Sequence, residues 1–202
     1  YGYYLNKTQL NVFTFDEGDA TSLKFNKINQ VYRFPNTSLL QKQTDFKTDV
    51  FFIGKDKHRS EIIAQLIQLL KQQNICFDFY IIKDKHTITN WQIEPYYKNN
   101  EISYEDSLEK ITQTKCIIEI LQKGQTGMTL RTLEAIFLKK KLITTNCDIV
   151  KTPIYHPNNI YILDYKSNTY KSIKEFLDCE YYNIPDNVIR NYDVEYWIKQ
   201  FI

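Results

Sequence analysis

Chemistry is concentrated in one segment of the chain, residues 124–134, which follows an apolar run and opens an amphipathic helix. The predicted start of this helix holds Thr126, Gly127 and Thr129. Backbone N–H groups at a helix start have no helical partner and can bind an anion, and a glycine there permits close approach. Arg131 and Glu134 are three residues apart, so both can project from one face of the helix near its start. A cation and a carboxylate beside an anion site suit a phosphate together with a ribose diol.

The same spacing also has a purely structural explanation. An ion pair three residues apart on an exposed helix, after an ordinary turn, requires no ligand. The segment matches neither the dinucleotide fingerprint nor the phosphate-binding loop with its lysine. From spacing alone, the surface ion pair is at least as well supported as the ligand site.

A second candidate is a basic loop that follows the apolar run 49–54 and precedes a predicted helix. The run ends in Gly54, and the loop carries Lys55, Lys57, His58 and Arg59. Because the carboxyl ends of parallel strands meet at one edge of a sheet, we expect this loop to lie on the same side as the first site. Its charge would hold phosphate there. A solvated basic turn is the common alternative.

Three further residues carry side chains capable of chemistry. Glu119 lies within an apolar run, and an isolated buried charge is costly, so we predict that it is the buried partner of a basic group, with ligand binding as the alternative. His86 and His156 have no acid or nucleophile at informative spacing, and neither is given a catalytic role. We therefore name no catalytic residue from the sequence.

The lysines at 139–141 are predicted to form the last turn of the helix, where cations suit the helix dipole. Contact with anionic lipid headgroups is the weaker alternative. The four cysteines are widely separated and form no Cys-x-x-Cys pair, so we expect reduced thiols, no zinc site and a cytoplasmic location.

The pattern of the chain predicts the elements that position these residues. Apolar runs predict strands at 49–54, 76–82, 116–122, 142–146 and 159–164, and helical periodicity predicts helices beginning near Ser60, Ser103, Leu130, Ser172 and Asp193. Ser60, Ser103 and Asp193 are predicted caps. Alternating strands and helices indicate an α/β fold, a Rossmann-like parallel sheet with helices on both faces. Ligands of such sheets bind beyond the carboxyl ends of the strands, which selects the loops after Gly54, Ile82, Gln122 and Asn146.

Residues 1–48 have a different character from the rest. We predict a short strand at 10–15, a turn at 16–19 and a second short run at 31–34, joined by polar sequence. A few short strands cannot bury a core alone, so we interpret 1–48 as an attachment to, or remnant of, a preceding domain. Residues 49–202 are the main domain.

Composition excludes several classes of protein. The formal net charge of +2 across 202 residues does not demand a polyanionic partner, so nucleic acid binding is not expected. No apolar run is long enough to span a membrane, and no signal peptide is visible. The first residue is Tyr1, from which we expect the chain to be a piece of a longer protein.

Several strings of this chain together resemble the C-terminal half of bacterial GT-B type glycosyltransferases, the lipopolysaccharide and capsular polysaccharide biosynthesis proteins in particular. The strings are residues 49–59, 126–135, 141–146 and 155–160, in that order. The resemblance covers residue 49 to the end, and residues 13–33 resemble the lead-in from the other domain.

This resemblance implies two facing Rossmann-like domains, of which the C-terminal one holds a nucleotide-sugar donor. Glu134 would then bind the donor ribose, and the turn at Thr126 and Gly127 would meet the diphosphate together with Arg131. Gly54 and the loop with Lys57 and Arg59 would face the donor phosphates. The usual family motif has an acidic residue eight positions before the ribose carboxylate, and this chain has Thr126 there, which leaves the sugar contacts and the stereochemical outcome open.

The implied reaction is transfer of a sugar from a nucleotide-sugar to a glycan or lipid-linked acceptor in the cytoplasm, at or near the inner face of the membrane. The resemblance implies neither a resident cofactor nor a metal. The general base would come mostly from an N-terminal domain, which we do not expect this chain to contain. The alternative is a non-catalytic α/β module that binds a nucleotide or a partner, because fold alone does not fix function.

Overall fold

The computed structural model describes residues 11–33, 46–84, 90–125, 127–164 and 172–201, and its architecture is α/β. The strands in chain order are β1 (Phe13–Thr14), β2 (Asn26–Lys27), β3 (Thr48–Lys55), β4 (Phe77–Ile82), β5 (Tyr97–Lys98), β6 (Thr114–Glu119), β7 (Lys141–Thr144) and β8 (Ile160–Ile162). All the paired strands run parallel. The predicted Rossmann-like parallel sheet is confirmed.

The main sheet has six strands in the order β5-β4-β3-β6-β7-β8. The chain therefore enters at the centre with β3 and builds outward to β5. It then returns to the other side of β3 with β6 and builds outward to β8. Strand order reverses between β3 and β6, and this reversal is where doubly wound sheets bind their ligands, beyond the carboxyl ends of the strands.

Helices cover both faces of this sheet, as predicted. The helices of the described residues are α1 (Glu17–Leu23), α2 (Ser60–Gln72), α3 (Tyr104–Thr112), α4 (Leu130–Phe137), α5 (Ile173–Asp178), α6 (Asp186–Ile189) and α7 (Val194–Trp197). Short 3-10 turns occupy Glu94–Tyr96, Cys147–Lys151, Arg190–Tyr192 and Ile198–Phe201. Helices α2 and α5 share one core with the sheet, while α3 and α4 share the core on the opposite face.

Side chains of the central strands alternate between these two cores, because successive residues of a strand point to opposite faces. Phe52 and Ile118 belong to the core beneath α2, and Phe51 and Ile117 belong to the core beneath α3 and α4. All four are at most 2% exposed. A sheet that is buried on both faces explains the uninterrupted apolar runs in the sequence.

Two of the three predicted caps are confirmed. The hydroxyl of Ser103 and the carboxylate of Asp193 each accept a hydrogen bond from a backbone N–H of the helix that they begin. The prediction for Ser60 is wrong: Ser60 is the first residue of α2, and Arg59 stands at the cap position without a side-chain hydrogen bond. The carboxylate of Asp56 instead accepts from the Arg59 backbone N–H, so the turn is closed one residue earlier.

The helix predicted through Lys141 ends four residues earlier, at the C-terminus of α4. Lys139 has a left-handed backbone (φ 50°), and the next two lysines are buried, at 2% and 6% exposure. Lys140 donates to the carbonyl of Thr112 at 2.8 Å, and burial lowers its pKa to about 8. Lys141 donates to the carbonyl of Cys179 at 2.6 Å. The side chains of Lys140 and Lys141 therefore bind backbone carbonyls inside the domain and do not face lipid headgroups.

Residues 11–33, called the N-terminal segment below, form a small β1-α1-β2 unit. The turn predicted at 16–19 is instead the start of α1, capped by Asp16, whose carboxylate accepts from the Asp19 backbone N–H at 3.1 Å. The segment is tied to the C-terminal residues, because Tyr32 exchanges backbone hydrogen bonds with Tyr192 and Val194, both at 2.8 Å. The helix has no buried residue, which is why the sequence carries no apolar period there.

Burial on both faces predicts similar costs for truncating two neighbours of β6. We expect Ile117→Ala and Ile118→Ala each to lower the free energy of unfolding by about 2–5 kcal/mol, because each leaves a cavity in a different core. Lys115→Ala, in the same strand but partly exposed, is expected to change it by less than about 1 kcal/mol. Urea denaturation measures all three. If only one of the two isoleucine variants lowered the free energy of unfolding, the sheet would not be covered on both faces.

Candidate functional site

A crevice of about 420 Å³ lies where strand order reverses, between the carboxyl ends of β3 and β6. Five residues of the predicted site line it: Gly54, Lys57, Arg59, Thr129 and Arg131. They come from the loop after β3 and from the start of α4, as expected from parallel topology. The fold thus brings together the two loops that the sequence analysis singled out separately.

Arg59 stabilises this crevice through hydrogen bonds to backbone carbonyls on two neighbouring segments. Its Nε donates to the carbonyl of Asp56 at 3.0 Å, and its other guanidinium nitrogens donate to the carbonyls of Lys55 and Ile120. Burial lowers the pKa of Arg59 from its usual value. A Cβ on Gly54 would lie 3.2 Å from the guanidinium, so this glycine makes room for the arginine. Arg59 therefore joins the loop after β3 to the end of β6, and most of its donors are already used by backbone.

Lys57 is the exposed cation of the loop. Its backbone and that of His58 are both left-handed, with φ of 47° and 61°, and the Lys57 N–H donates to the carboxylate of Asp84 at 2.7 Å. This tight turn leaves the lysine side chain exposed on the wall of the crevice. Lys55, also in the wall, forms an ion pair with Glu101 at 2.7 Å. Among the described residues, Lys55 has a salt-bridge partner and Lys57 has none.

Glu119 ends β6 at the inner wall of the crevice and is 3% exposed. Three threonine hydroxyls donate to its carboxylate, those of Thr129, Thr132 and Thr144. Within the described part of the chain, no basic side chain forms a salt bridge with Glu119. The prediction of a basic partner is wrong, because hydroxyl groups from α4 and β7 satisfy the carboxylate instead.

The start of α4 is fixed by the same contacts. Thr129 donates its hydroxyl proton to Glu119, and its oxygen accepts from the backbone N–H of Arg131 at 3.1 Å. Thr129 is therefore the N-cap of α4 and also a link to the sheet. The arrangement aims the N-terminal end of α4 at the crevice, where a helix start favours negative charge.

Glu134 forms the predicted ion pair with Arg131, but it is only 1% exposed. The Tyr104 hydroxyl lies beside its carboxylate, and the hydroxyl oxygens of Tyr104 and Tyr32 are 2.6 Å apart. Burial raises the pKa of Glu134, although Arg131 and the Tyr104 hydroxyl oppose the rise. Burial, the contact with Tyr32 and the nearby charge of Glu134 raise the pKa of Tyr104. The predicted ribose ligand is therefore covered by protein.

Gly127 faces a different element from the one expected. Its backbone N–H donates to the carboxylate of Asp16 at 3.2 Å. A Cβ on Gly127 would lie 3.2 Å from the carbonyl oxygen of Phe15, so only glycine allows the N-terminal segment to approach this closely. Thr126, also predicted for the site, lies outside the described residues. The predicted anion-binding amide is thus occupied by a carboxylate of the same chain.

A second cavity, of about 350 Å³ and called the lateral cavity below, lies between the N-terminal segment and the loops after β6 and β7. Gly127 and Asn146 line it from the sheet side, and Phe15, Glu17 and Lys27 line it from the segment. The loop after Asn146 is a predicted sheet-edge loop, but no residue of the segment is predicted for a site. No local pattern joins residues more than a hundred positions apart, so this cavity was not predictable.

His156, which the sequence leaves without a catalytic role, has a structural role. His156 stacks on Tyr182 with ring centroids 4.0 Å apart, and its Nδ1 accepts from the backbone N–H of Asn158. His86 lies outside the described residues. In the ranges that the structure describes, no cluster of histidine, cysteine and carboxylate side chains is arranged to hold a metal ion, and no helix there is long and apolar enough to cross a bilayer.

Comparison with known proteins adds no assignment to this geometry. No protein-family model matches the chain, and no curated protein matches it. The functional conclusion therefore depends on the sheet topology, on the crevice and on the residues that line it.

Burial of Glu134 predicts a pH dependence of stability. Its folded-state pKa is raised, so the folded chain binds more protons than the unfolded chain above pH 4.5, and the free energy of unfolding falls as pH rises through that window. Glu134→Gln cannot titrate at this position. We expect the stability of the wild type relative to Glu134→Gln to fall as pH rises above about 4.5.

Urea denaturation of both proteins at a series of pH values from 4 to 8 measures this difference. Glu105→Gln, at an exposed position on α3, controls for the loss of one negative charge. A stability of the wild type that rises with pH relative to Glu134→Gln would show that the ion pair with Arg131 outweighs burial.

Proposed function

We propose that this chain is the donor-binding part of a glycosyltransferase, which transfers a sugar from a nucleotide-sugar to a glycan or lipid-linked acceptor in surface polysaccharide biosynthesis. The observation that carries the proposal is the crevice at the reversal of strand order between β3 and β6. The sheet order matches the doubly wound order in which the crevice at this point receives a nucleotide. The location that we propose is the cytoplasm, at or near the inner face of the membrane, as the family resemblance implies.

The charges of the crevice suit a diphosphate. Lys57 is exposed on one wall, and Arg131 lies on the other at the start of α4. The helix start itself, capped by Thr129, adds the partial positive charge of its N-terminal amides. In sugar transfer, negative charge develops on the departing diphosphate, and groups fixed in advance around it stabilise the transition state. Lys57 and Arg131 are the residues that we propose for this role.

The acceptor and the general base belong to another part of the enzyme in this proposal. The N-terminal segment contains a two-stranded parallel sheet and a helix without a buried residue, so it has no core of its own. Parallel strands are normally covered on both faces. We propose that a further domain packs against the segment, faces the crevice and supplies the base.

A second candidate function is a module that binds a nucleotide without transferring sugar. Its support is that two groups expected to bind the donor, the Gly127 N–H and the Glu134 carboxylate, are already engaged by side chains of the same chain. Both functions predict nucleotide binding. They separate in an assay of sugar transfer with the parent protein, because the module would bind the nucleotide-sugar and leave it intact.

Nucleotide binding through the crevice is tested by removing the charge of Lys57. Lys57→Asn removes the charge, and asparagine tolerates the left-handed backbone at this position. Lys139→Asn is a matched control. Lys139 is also exposed and left-handed (φ 50°), but it lies beyond the other end of α4. We expect a panel of UDP, GDP, ADP, TDP and CMP compounds, with their sugar conjugates, to include one that raises the Tm of the wild type.

For the compound that binds, Lys57→Asn should weaken affinity roughly fivefold, as loss of about 1 kcal/mol from an exposed charge contact predicts. Lys139→Asn should leave affinity unchanged. Isothermal titration calorimetry measures both variants. Equally strong binding by Lys57→Asn would show that the diphosphate does not contact Lys57. If no compound bound to the wild type, the proposed function would be wrong.

A further inference from the structure

We infer that the N-terminal segment is an internal competitor of the nucleotide: its Asp16 carboxylate occupies the position of a phosphate oxygen, and nucleotide binding displaces it. This inference rests on the proposed function, because it concerns the same site. The contact that carries it engages the Gly127 N–H. A second contact of the segment supports the cover over Glu134.

The first contact places a carboxylate where a phosphate oxygen is expected. Asp16 reaches across 111 positions of sequence to accept from the Gly127 N–H at 3.2 Å. Gly127 lines the lateral cavity, and Thr129, two residues further on at the start of α4, lines the crevice. An N–H that binds the anionic side chain of Asp16 is able to bind an anionic ligand. One N–H cannot serve both at full strength, so Asp16 and a phosphate at this position exclude each other.

The second contact joins the segment to the cover over Glu134. The hydroxyl oxygens of Tyr32 and Tyr104 are 2.6 Å apart, and the Tyr104 hydroxyl lies beside the Glu134 carboxylate. The ring of Tyr32 packs edge-on against Phe137 with centroids 5.3 Å apart. Tyr104 belongs to α3, so release of the segment removes the support that Tyr32 gives to this cover but leaves Tyr104 in place.

The part of the segment that carries Asp16 is weakly held, whereas Tyr32 remains tied to Tyr192 and Val194. Helix α1 buries no residue, and Phe13, Phe15 and Leu23 remain 42–43% exposed. Segments with few buried apolar contacts open at low free energy while the core stays folded. The core residues of the six-stranded sheet come from other parts of the chain. Displacement of the segment therefore leaves the nucleotide-binding sheet intact.

Asp16→Ser separates competition from helix capping. Serine is as good an N-cap as aspartate, so α1 keeps its cap, but its side chain has one oxygen and is too short to serve α1 and Gly127 together. Asp19→Ser, at an exposed position of the same helix, loses the same charge without touching Gly127. The probes are inorganic pyrophosphate, which tests the phosphate contact alone, and the nucleoside diphosphates of the panel. Calorimetry gives the Kd of each.

We expect Asp16→Ser to bind roughly three- to tenfold more tightly than the wild type, because a larger fraction of molecules has a free Gly127 N–H. Asp19→Ser should match the wild type. Unchanged or weaker binding by Asp16→Ser, or equal tightening by Asp19→Ser, would overturn the competition while leaving the proposed function standing. Failure of both proteins and the wild type to bind any probe would overturn the competition and the proposed function together.

Hydrogen exchange of the wild type gives a second, independent measurement. The amides of Asp19, Asn26 and Ile28 are hydrogen-bonded within the segment. Saturation with a nucleoside diphosphate that binds should speed their exchange, because the displaced segment loses its support. Slower exchange would mean that the segment closes over the ligand as a clamp, and unchanged exchange would mean that it does not respond. Either result would overturn the competition.

Discussion

A buried carboxylate at the end of the central strand is the constraint on which the site depends. Glu119 is 3% exposed, and a carboxylate in that position must be supplied with hydrogen bonds. Hydroxyls of Thr129, Thr132 and Thr144 meet this need. Two of these hydroxyls belong to the start of α4 and one belongs to β7. The hydrogen bonds to the Glu119 carboxylate therefore fix where α4 begins relative to the sheet. The position of Arg131 and the direction of α4 follow from it.

Arg59 has the complementary role on the other wall. It binds three backbone carbonyls from the loop after β3 and from the end of β6, and Gly54 leaves the space that it needs. Glu119 and Arg59 thus stabilise opposite walls of the crevice, each through groups at the carboxyl ends of neighbouring strands. Hydrogen bonds within the chain already engage the side chains of both residues. The side chains that we expect to contact a ligand are Lys57 and Arg131, the second of which also pairs with Glu134.

The sequence predicted what depends on local pattern. Apolar runs predicted the main strands, and parallel topology predicted that the Lys57 loop and the start of α4 would meet. It failed where distant contacts decide the outcome. Lys140 and Lys141 look like a helix end in sequence, but backbone carbonyls of α3 and of the residues after α5 draw them inside. The contact of Asp16 with Gly127 and the cover over Glu134 leave no periodic signal, because they join segments that are far apart in the chain.

We propose that the crevice between β3 and β6 binds the diphosphate of a nucleotide. A crystal structure of the chain with a bound nucleoside diphosphate tests this proposal. We expect phosphate oxygens within hydrogen-bond distance of the Lys57 ammonium group and of groups at the start of α4, with the Asp16 carboxylate withdrawn from the Gly127 N–H. A diphosphate held in the lateral cavity, or anywhere without contact to Lys57 and the start of α4, would contradict it.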